Sequence, residues 1–457
     1  MSPETADVVV VGLGPGGEEV AGRLAEAGLD VVGIERELLG GECPYWGCVP
    51  SKMMIRGANL LAEARRVAGI SGSTTVSPDW APVATRIRNE ATDTWDDRVA
   101  VDRFVGKGGR FIRGSARVAG PGRVVVDEVE VEASRGIVIS TGTVPVIPPV
   151  PGLGDLPYWT NRDAIKTEQV PASLLVLGGG AIGLELAQMF GRFGSEVTVV
   201  EGLDRLIPME EPEASEMIAA VFEAEGIAVR TGNAVTAARQ GGGRLVLQLA
   251  DGSEVSGEHL LVATGRRTAL GSLGLDSVGL DAGARFIEVD AHMRAAPGIW
   301  AVGDVTGKGL FTHMAMYQAG IAIADILGRP SHAADYRAVS RVTFTDPEIG
   351  SVGLSAGAAA ESGLRVRAGL APLPSSARGW IHKAGNEGFI KLVEDADAGV
   401  LVGATSAGPM GGEVLGLLSL AVHARVPSAE LATMIYAYPT FHRAIEAALS
   451  DLRSQPA

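Results

Sequence analysis

A unit that occurs twice constrains this chain most. Residues 7–35 read as strand, glycine turn, helix, strand: "DVVVVG", then "GPGGEEVAGRLAEAG", then "DVVGIE". Residues 174–201 repeat the plan in "LLVLGGGAIGLELAQMFGRFGSEVTVVE". A continuous β-branched run such as "DVVVV" suits a strand buried on both faces, as in a parallel sheet. Each turn has glycines in G-x-G-x-x-G spacing: Gly12, Gly14 and Gly17 in the first copy, Gly178, Gly180 and Gly183 in the second. The first glycine makes the tight turn. The second lets a pyrophosphate approach the backbone, and the third packs the helix on the strand. An acid ends each unit, Glu35 and Glu201, where a carboxylate can accept from a ribose 2′-hydroxyl. One glycine turn alone is a weak signal. Two complete copies, each with strand, helix and acid, imply two dinucleotide-binding domains.

Glu201 bears on which nucleotide the second copy takes. A carboxylate repels a 2′-phosphate, so NAD(H) is expected over NADP(H). Arg205 lies close by and works against that inference, because an arginine can pair with a phosphate.

With 457 residues, the chain is long enough for two to four domains. Lys and Arg number 39 against 54 Asp and Glu, a formal charge of −15. That balance argues against a nucleic-acid partner, which wants a basic footprint. Anionic cofactors remain compatible, since helix N-termini and backbone amides bind phosphate without net positive charge. The start, "MSPETADVVVVG", lacks a basic signal-peptide region, and no stretch reaches membrane-spanning length. A cytoplasmic protein with no membrane partner is expected.

The segment "GRVVVDEVEVEASRGIVISTG" reads as short strands, and the Pro-rich "TVPVIPPVPGLGD" after it as an interdomain connection. Residues 244–265 read as a hairpin, "RLVLQL" and "EVSGEHLLVATG" around "ADGS". Beyond about residue 337, "RVTFTDPEIGSVGL" opens a region of strands. There "GGEVLGLLSLAVHARV" and "PTFHRAIEAALSDL" read as amphipathic helices.

The only two cysteines, Cys43 and Cys48, stand five apart in "GGECPYWGCVPSK". A stable disulfide is uncommon in the cytoplasm, which tilts the pair toward chemistry. Five residues along a regular helix is too far for a relaxed disulfide, but Pro44 and Gly47 can distort the first turn. Lys52 follows Cys48 by four and shares its helical face, where an ammonium lowers a thiol pKa. A zinc site needs two more ligands, and no clustered histidines or second cysteine pair supply them. An inert buried pair is the remaining alternative.

The cysteine stretch resembles the redox-active motif of the FAD-dependent pyridine nucleotide–disulfide oxidoreductases, which include dihydrolipoamide dehydrogenase and mercuric reductase. Further segments are similar to the family's in the same order: "VISTGTVPVIP", "LLVATGRR", "GIWAVGDV" and "VTFTDPEIGSVGL". The resemblance implies an α/β fold of two Rossmann-like domains plus an α+β C-terminal dimerisation domain. The boundaries expected are 1–148 and 271–336 for the FAD domain, 149–270 for the NAD(P) domain and 337–457 for the dimerisation domain. It also implies roles. Cys43 is the interchange thiol, and Cys48 the thiol against the flavin. Lys52 pairs with Glu185 near the flavin. Thr141, Gly142 and Gly265 lie in the two Ala-Thr-Gly-like motifs. Asp304 binds the ribityl chain, and His313 begins a helix aimed at the flavin pyrimidine.

One stretch departs from the family. Its disulfide reductases have a histidine, backed by a glutamate five residues on, that reaches across a homodimer to the dithiol. This chain reads "YAYPTFHRAIEAAL", with Tyr438 in place of the histidine and Arg443 in place of the glutamate. His442 is a nearby substitute base, or a solvated helix residue. Tyr45 and Trp46, between the cysteines, either narrow the substrate approach or pack beneath the flavin. The expected activity passes electrons from nicotinamide through FAD and the Cys43–Cys48 pair to a small-molecule disulfide, dithiol, quinone or metal ion. No resident metal is expected. A transhydrogenase and a flavin-bound redox sensor are the rivals.

Overall fold

The computed structural model describes residues 3–455. Its chain forms two compact units. Among the described residues, the first comprises 3–51, 85–146 and 266–335, and the second 52–84, 147–265 and 336–455. The boundary at Ser51 falls inside the helix Cys48–Arg65.

In the first unit, five strands run parallel in the order Ile299–Ala301, Val129–Ile139, Glu4–Val11, Val31–Glu35, Arg110–Arg113. The sequence expectation of short strands before the "STG" resolves into a hairpin and one eleven-residue strand, Val129–Ile139. Val8, Val9 and Val10 are fully buried, as a strand covered on both faces requires. From Glu4–Val11 the chain winds to one side of the sheet and later returns on the other. The carboxyl ends of Glu4–Val11 and Val129–Ile139 therefore flank a topological switch point, where open α/β sheets bind ligands. Gly12 and Ser140-Thr141-Gly142 occupy those two ends.

The second unit holds another parallel sheet, in the order Ala228–Arg230, Glu196–Val200, Ser173–Leu177, His259–Val262. Its switch point lies between Ser173–Leu177 and His259–Val262. The expected hairpin is corrected in one respect. Arg244–Leu249 pairs antiparallel with Glu254–Gly257, but the chain breaks there, and His259–Val262 crosses to the parallel sheet. Gly257 marks the break, because a Cβ on it would lie 2.9 Å from Leu175 Cγ.

The same unit carries a five-stranded antiparallel sheet, Ser340–Thr343, Glu348–Gly353, Val400–Gly408, Phe389–Asp395, Val366–Pro372. The helices Gly411–His423 and Ala444–Ser454 cover it, burying Leu415, Leu418, Ile445 and Leu449 on Ile390, Leu392 and Leu401. The approach is close: a Cβ on Gly369 would lie 2.2 Å from Ala448 O. The last helix starts later than the sequence suggests. Phe441 is buried in the core and its carbonyl accepts from Ala444, so residues 439–443 form turns. Among the described residues, no helix is long and apolar enough to cross a membrane.

Candidate active site

The two glycine turns show the same steric logic. Gly12 has φ +88°, and a Cβ there would lie 2.5 Å from Ser140 O. Gly178 has φ +116°, with Ala263 O 2.4 Å away. The motifs containing Thr141, Gly142 and Gly265 thus press their backbone against the first glycine of each copy. Gly17 and Gly183 are closed in by the carbonyls of Gly12 and Gly178, at 2.0 and 2.2 Å. Gly14 and Gly180 differ: a Cβ on either meets no protein atom within 4 Å. Each caps a helix N-terminus, Pro15–Glu26 and Ala181–Arg192, where unpaired N–H groups and the helix dipole favour a phosphate. Both turns fit a dinucleotide on this ground.

The acids have a second job that sequence reading missed. Glu35 accepts from the N–H of Leu13 at 2.8 Å and of Glu37 at 2.9 Å. Glu201 accepts from Gly179 at 2.7 Å and Leu203 at 2.8 Å. Each carboxylate ties the residue after the first glycine to the end of the second strand. A carboxylate has further lone pairs, so a ribose hydroxyl can still donate to it. Arg205 turns away from this edge. Its guanidinium donates to the carbonyls of Ile207, Pro208 and Glu210 and to Ser215 Oγ.

Cys43 sits in the one-turn helix Glu42–Tyr45, and Cys48 opens the helix Cys48–Arg65. The break between them falls at Trp46-Gly47. A Cβ on Gly47 would lie 3.3 Å from Glu42 O and 3.9 Å from Cys43 Cα, so this glycine lets the two turns close on each other. Cys48 is exposed and Cys43 half-buried. Cys48 Sγ lies 3.4 Å from Thr312 Oγ1, the first residue of the helix Thr312–Ile326. Cys48 thus stands at the start of one helix with the hydroxyl that opens another in reach. Tyr45 and Trp46 are buried. Trp46 stacks on Trp95 at 5.6 Å, and Trp95 Nε1 donates to Tyr45 O at 3.3 Å. Both side chains are thus buried within the protein, Trp46 against Trp95.

A polar chain runs beside this turn. Asp304 accepts from Thr143 Oγ1 at 2.9 Å. Arg266 donates to Thr143 Oγ1 and O at 2.9 and 2.7 Å and lies 3.5 Å from Glu42, next to Cys43. Burial raises the Asp304 carboxyl above its ordinary pKa, while Thr143 and the Arg266 charge act the other way. Gln318, fully buried, accepts from Gly303 N at 2.7 Å and fixes the turn that presents Asp304. Thr143, Arg266 and Gln318 were not singled out from sequence; the first two directly follow the quoted Thr-Gly motifs. His313 is exposed and stacks on Phe311 at 5.2 Å.

Within the second unit, Lys52 Nζ lies 2.6 Å from Glu185 Oε2. Glu185 is buried, and its other oxygen accepts from Phe344 N at 2.8 Å. The Phe344 ring lies 4.6 Å from the ammonium. A carboxylate held on both oxygens fixes where the lysine stands. Tyr438 is 69% exposed, and the Arg443 guanidinium lies 5.5 Å from its ring centre. His442 lies on the turn before the last helix, half-buried, 3.5 Å from Thr440 Oγ1. No cluster of His, Cys, Asp and Glu suited to a metal occurs among the described residues.

Two nucleotide turns, a two-cysteine turn and an antiparallel C-terminal sheet define a flavoprotein reductase architecture, and comparison with known proteins agrees. Residues 6–319 match the pyridine nucleotide-disulphide oxidoreductase family, and residues 339–449 match its dimerisation domain. The chain belongs to this family: it is an oxidoreductase that binds FAD and a pyridine nucleotide and dimerises through its C-terminal domain. It is 35% identical to a dihydrolipoyl dehydrogenase of Chlorobaculum tepidum, over 98% of this chain and 97% of the relative. It is 34% identical to a mercuric reductase of Acidithiobacillus ferrooxidans, over 95% of this chain and 80% of the relative. A solved structure, the Cu(II) complex of the HOCl-induced flavoprotein disulfide reductase RclA from Escherichia coli, matches with a TM-score of 0.85. The identity is 25%, over 98% of this chain and 99% of the other.

Proposed function

We propose that this enzyme uses NADH in preference to NADPH to reduce an acceptor that needs no strong base, foremost an activated disulfide. Overall, NADH, a proton and the acceptor disulfide give NAD⁺ and two thiols. FAD, when bound, carries two electrons between the nicotinamide and the cysteine pair. Gly12, Gly14, Gly17, Glu35, Thr141, Gly142, Asp304 and His313 hold FAD, with Lys52, positioned by Glu185, beside the flavin. Gly178, Gly180, Gly183, Glu201 and Gly265 hold the nicotinamide nucleotide. The reduced Cys43 thiolate attacks one acceptor sulfur and displaces the other as a thiolate. Cys48 then attacks Cys43 Sγ, releases the second thiol and restores the disulfide. The helix N-terminus at Cys48 favours the thiolate this step needs.

The observation that carries the choice of acceptor is Tyr438, exposed and with a guanidinium over its ring in place of a carboxylate-backed histidine. A tyrosine of reference pKa about 10 is a poor base at about pH 7. A leaving thiolate that is already stable needs no proton from the enzyme. The NADH preference rests on Glu201, with Arg205 spent on loop carbonyls. A metal-ion acceptor is the second reading, favoured by the likeness to mercuric reductase. We place the enzyme in the cytoplasm, where its two thiols stay reducible.

Steady-state kinetics with NADH and NADPH, across an aryl disulfide, lipoamide, glutathione disulfide, a quinone and Hg²⁺, test the proposal. The aryl disulfide with NADH should give the highest specificity constants. Robust turnover of lipoamide or glutathione disulfide would refute the acceptor reading and point to His442 as a working base. A higher specificity constant for NADPH would refute the cofactor reading.

A further inference from the structure

A cleft of about 480 Å³ opens between the segment Ser376–Arg378 and one face of the last helix, within the second unit. Three guanidiniums line it, those of Arg378, Arg443 and Arg453, against one carboxylate, Glu446. This is unusual in a chain of formal charge −15. The buried and half-buried cations Arg192, Arg341 and Lys391 of the same unit are matched closely, by Glu225 and Asp346, by Glu210, and by Glu211 and Glu213. Arg378 and Arg453 form no ion pair among the described residues. Arg443 pairs with Glu446 at 3.0 Å, so the lining retains an excess of two positive charges.

Two of these arginines are held in place. Arg378 lies 5.5 Å from the centre of the Phe441 ring. Arg443 donates to Tyr436 O at 3.3 Å and lies over the Tyr438 ring. Guanidiniums fixed by packing lose less entropy on binding an anion than mobile ones do, and their fork matches a carboxylate. Between them the helix presents Ala444 and Ala447, whose short side chains leave the floor open. Arg443 links this cleft directly to Tyr438, the residue the proposed function sets at the acceptor.

We propose that the cleft binds the carboxylate of the electron acceptor, so that the enzyme prefers a carboxylate-bearing disulfide to a neutral one of equal reactivity. This rests on the reading that Tyr438 faces the acceptor. Cation–carboxylate contacts of this kind set specificity rather than the chemical step. Their influence should fall as salt screens them.

The test compares two activated aryl disulfides on the FAD-loaded protein: dithiobis(nitrobenzoate), which carries two carboxylates, and neutral dithiodipyridine. The readout is the ratio of their specificity constants. In the Arg378→Gln, Arg453→Gln double variant this ratio should fall about tenfold or more, the scale of one lost charge-assisted contact. Glu446→Gln, which releases Arg443, should raise the ratio, a gain that misfolding does not produce. Both disulfides reduced, with a ratio that neither variant moves by more than about twofold, would overturn the cleft and leave the acceptor reading standing. Calorimetric titration with inorganic sulfate gives a readout independent of turnover. Sulfate bound by the native protein and lost in the double variant supports the cleft even where neither disulfide is reduced, a case in which the acceptor reading fails alone. Equal sulfate binding by the two proteins would also overturn the cleft.

Discussion

Gly180 and Gly183 stand three residues apart in one turn, yet the structure assigns them opposite sensitivities. Gly180 has φ −82°, an ordinary backbone that alanine adopts, and a Cβ there meets no protein atom within 4 Å. Gly180→Ala should therefore leave the fold intact, its gain of about 0.4–1 kcal/mol from the unfolded chain's entropy roughly offset by alanine's poorer fit at a helix N-cap. Its methyl group, however, would project where a pyrophosphate approaches the backbone. Overpacking typically costs about 1–3 kcal/mol, here charged to the bound nucleotide, or roughly a 5–150-fold loss of NADH affinity. Gly183→Ala places its Cβ 2.2 Å from Gly178 O, a backbone atom that cannot yield without moving the strand end. It should lower thermal stability directly. The assay is rapid-mixing reduction of the bound flavin over a range of NADH concentrations, beside thermal unfolding of each variant. Gly180→Ala with native NADH affinity, or with the larger loss of stability, would refute the assignment of these two glycines.

Asp304→Asn should retain the Thr143 hydrogen bond and weaken FAD binding by roughly 1.5–3 kcal/mol, the scale of a lost charged acceptor, read as flavin released on dilution. Burial raises the Asp304 pKa, so in the flavin-free protein its contribution to stability is full below the unfolded carboxylate value. That contribution is lost as pH rises through the folded value. Flavin-free Asp304→Asn should thus be the more stable protein at neutral pH, and an unfolding midpoint no higher than native would contradict this. Tyr438→His combined with Arg443→Glu should raise dihydrolipoamide turnover by roughly 10²–10⁴-fold, the worth of acid–base assistance. An unchanged steady-state rate would show that the missing dyad is not what limits the native enzyme.

The parts of this molecule legible in its sequence were those where sterics leave one solution. Gly12, Gly17, Gly178 and Gly183 must be glycine because a carbonyl lies where a Cβ would stand, so the motif reports its own structure. The cysteine turn was legible for a related reason, since Gly47 eases the approach of the Glu42–Cys43 turn. Features set by long-range partners were not legible. Nothing local to the helix Cys48–Arg65 shows what it packs on; Asn59 and Arg65 make hydrogen bonds to Arg192, far along the chain. The two alternatives open for Trp46 could not be separated locally, because Trp95, which stacks on it, lies 49 residues further on. Arg205 looked available to a phosphate because nothing local shows that the loop carbonyls of 207–210 turn toward it. The chain from Asp304 through Thr143 and Arg266 to Glu42 joins four separate segments, which no single stretch of sequence displays.

The central claim is that Cys43 and Cys48 form the redox pair between flavin and acceptor, with Cys48 the thiol against the flavin. Anaerobic reductive titration tests it most directly, with electron uptake and long-wavelength absorbance followed in the native protein, Cys43→Ser and Cys48→Ser. The native protein should take up two two-electron equivalents per protomer, and each variant only one. Long-wavelength thiolate–flavin absorbance should persist in Cys43→Ser, which keeps the thiolate at the helix N-terminus, and vanish in Cys48→Ser while FAD stays bound. A second equivalent taken up by either variant, or the absorbance surviving in Cys48→Ser, would contradict the account.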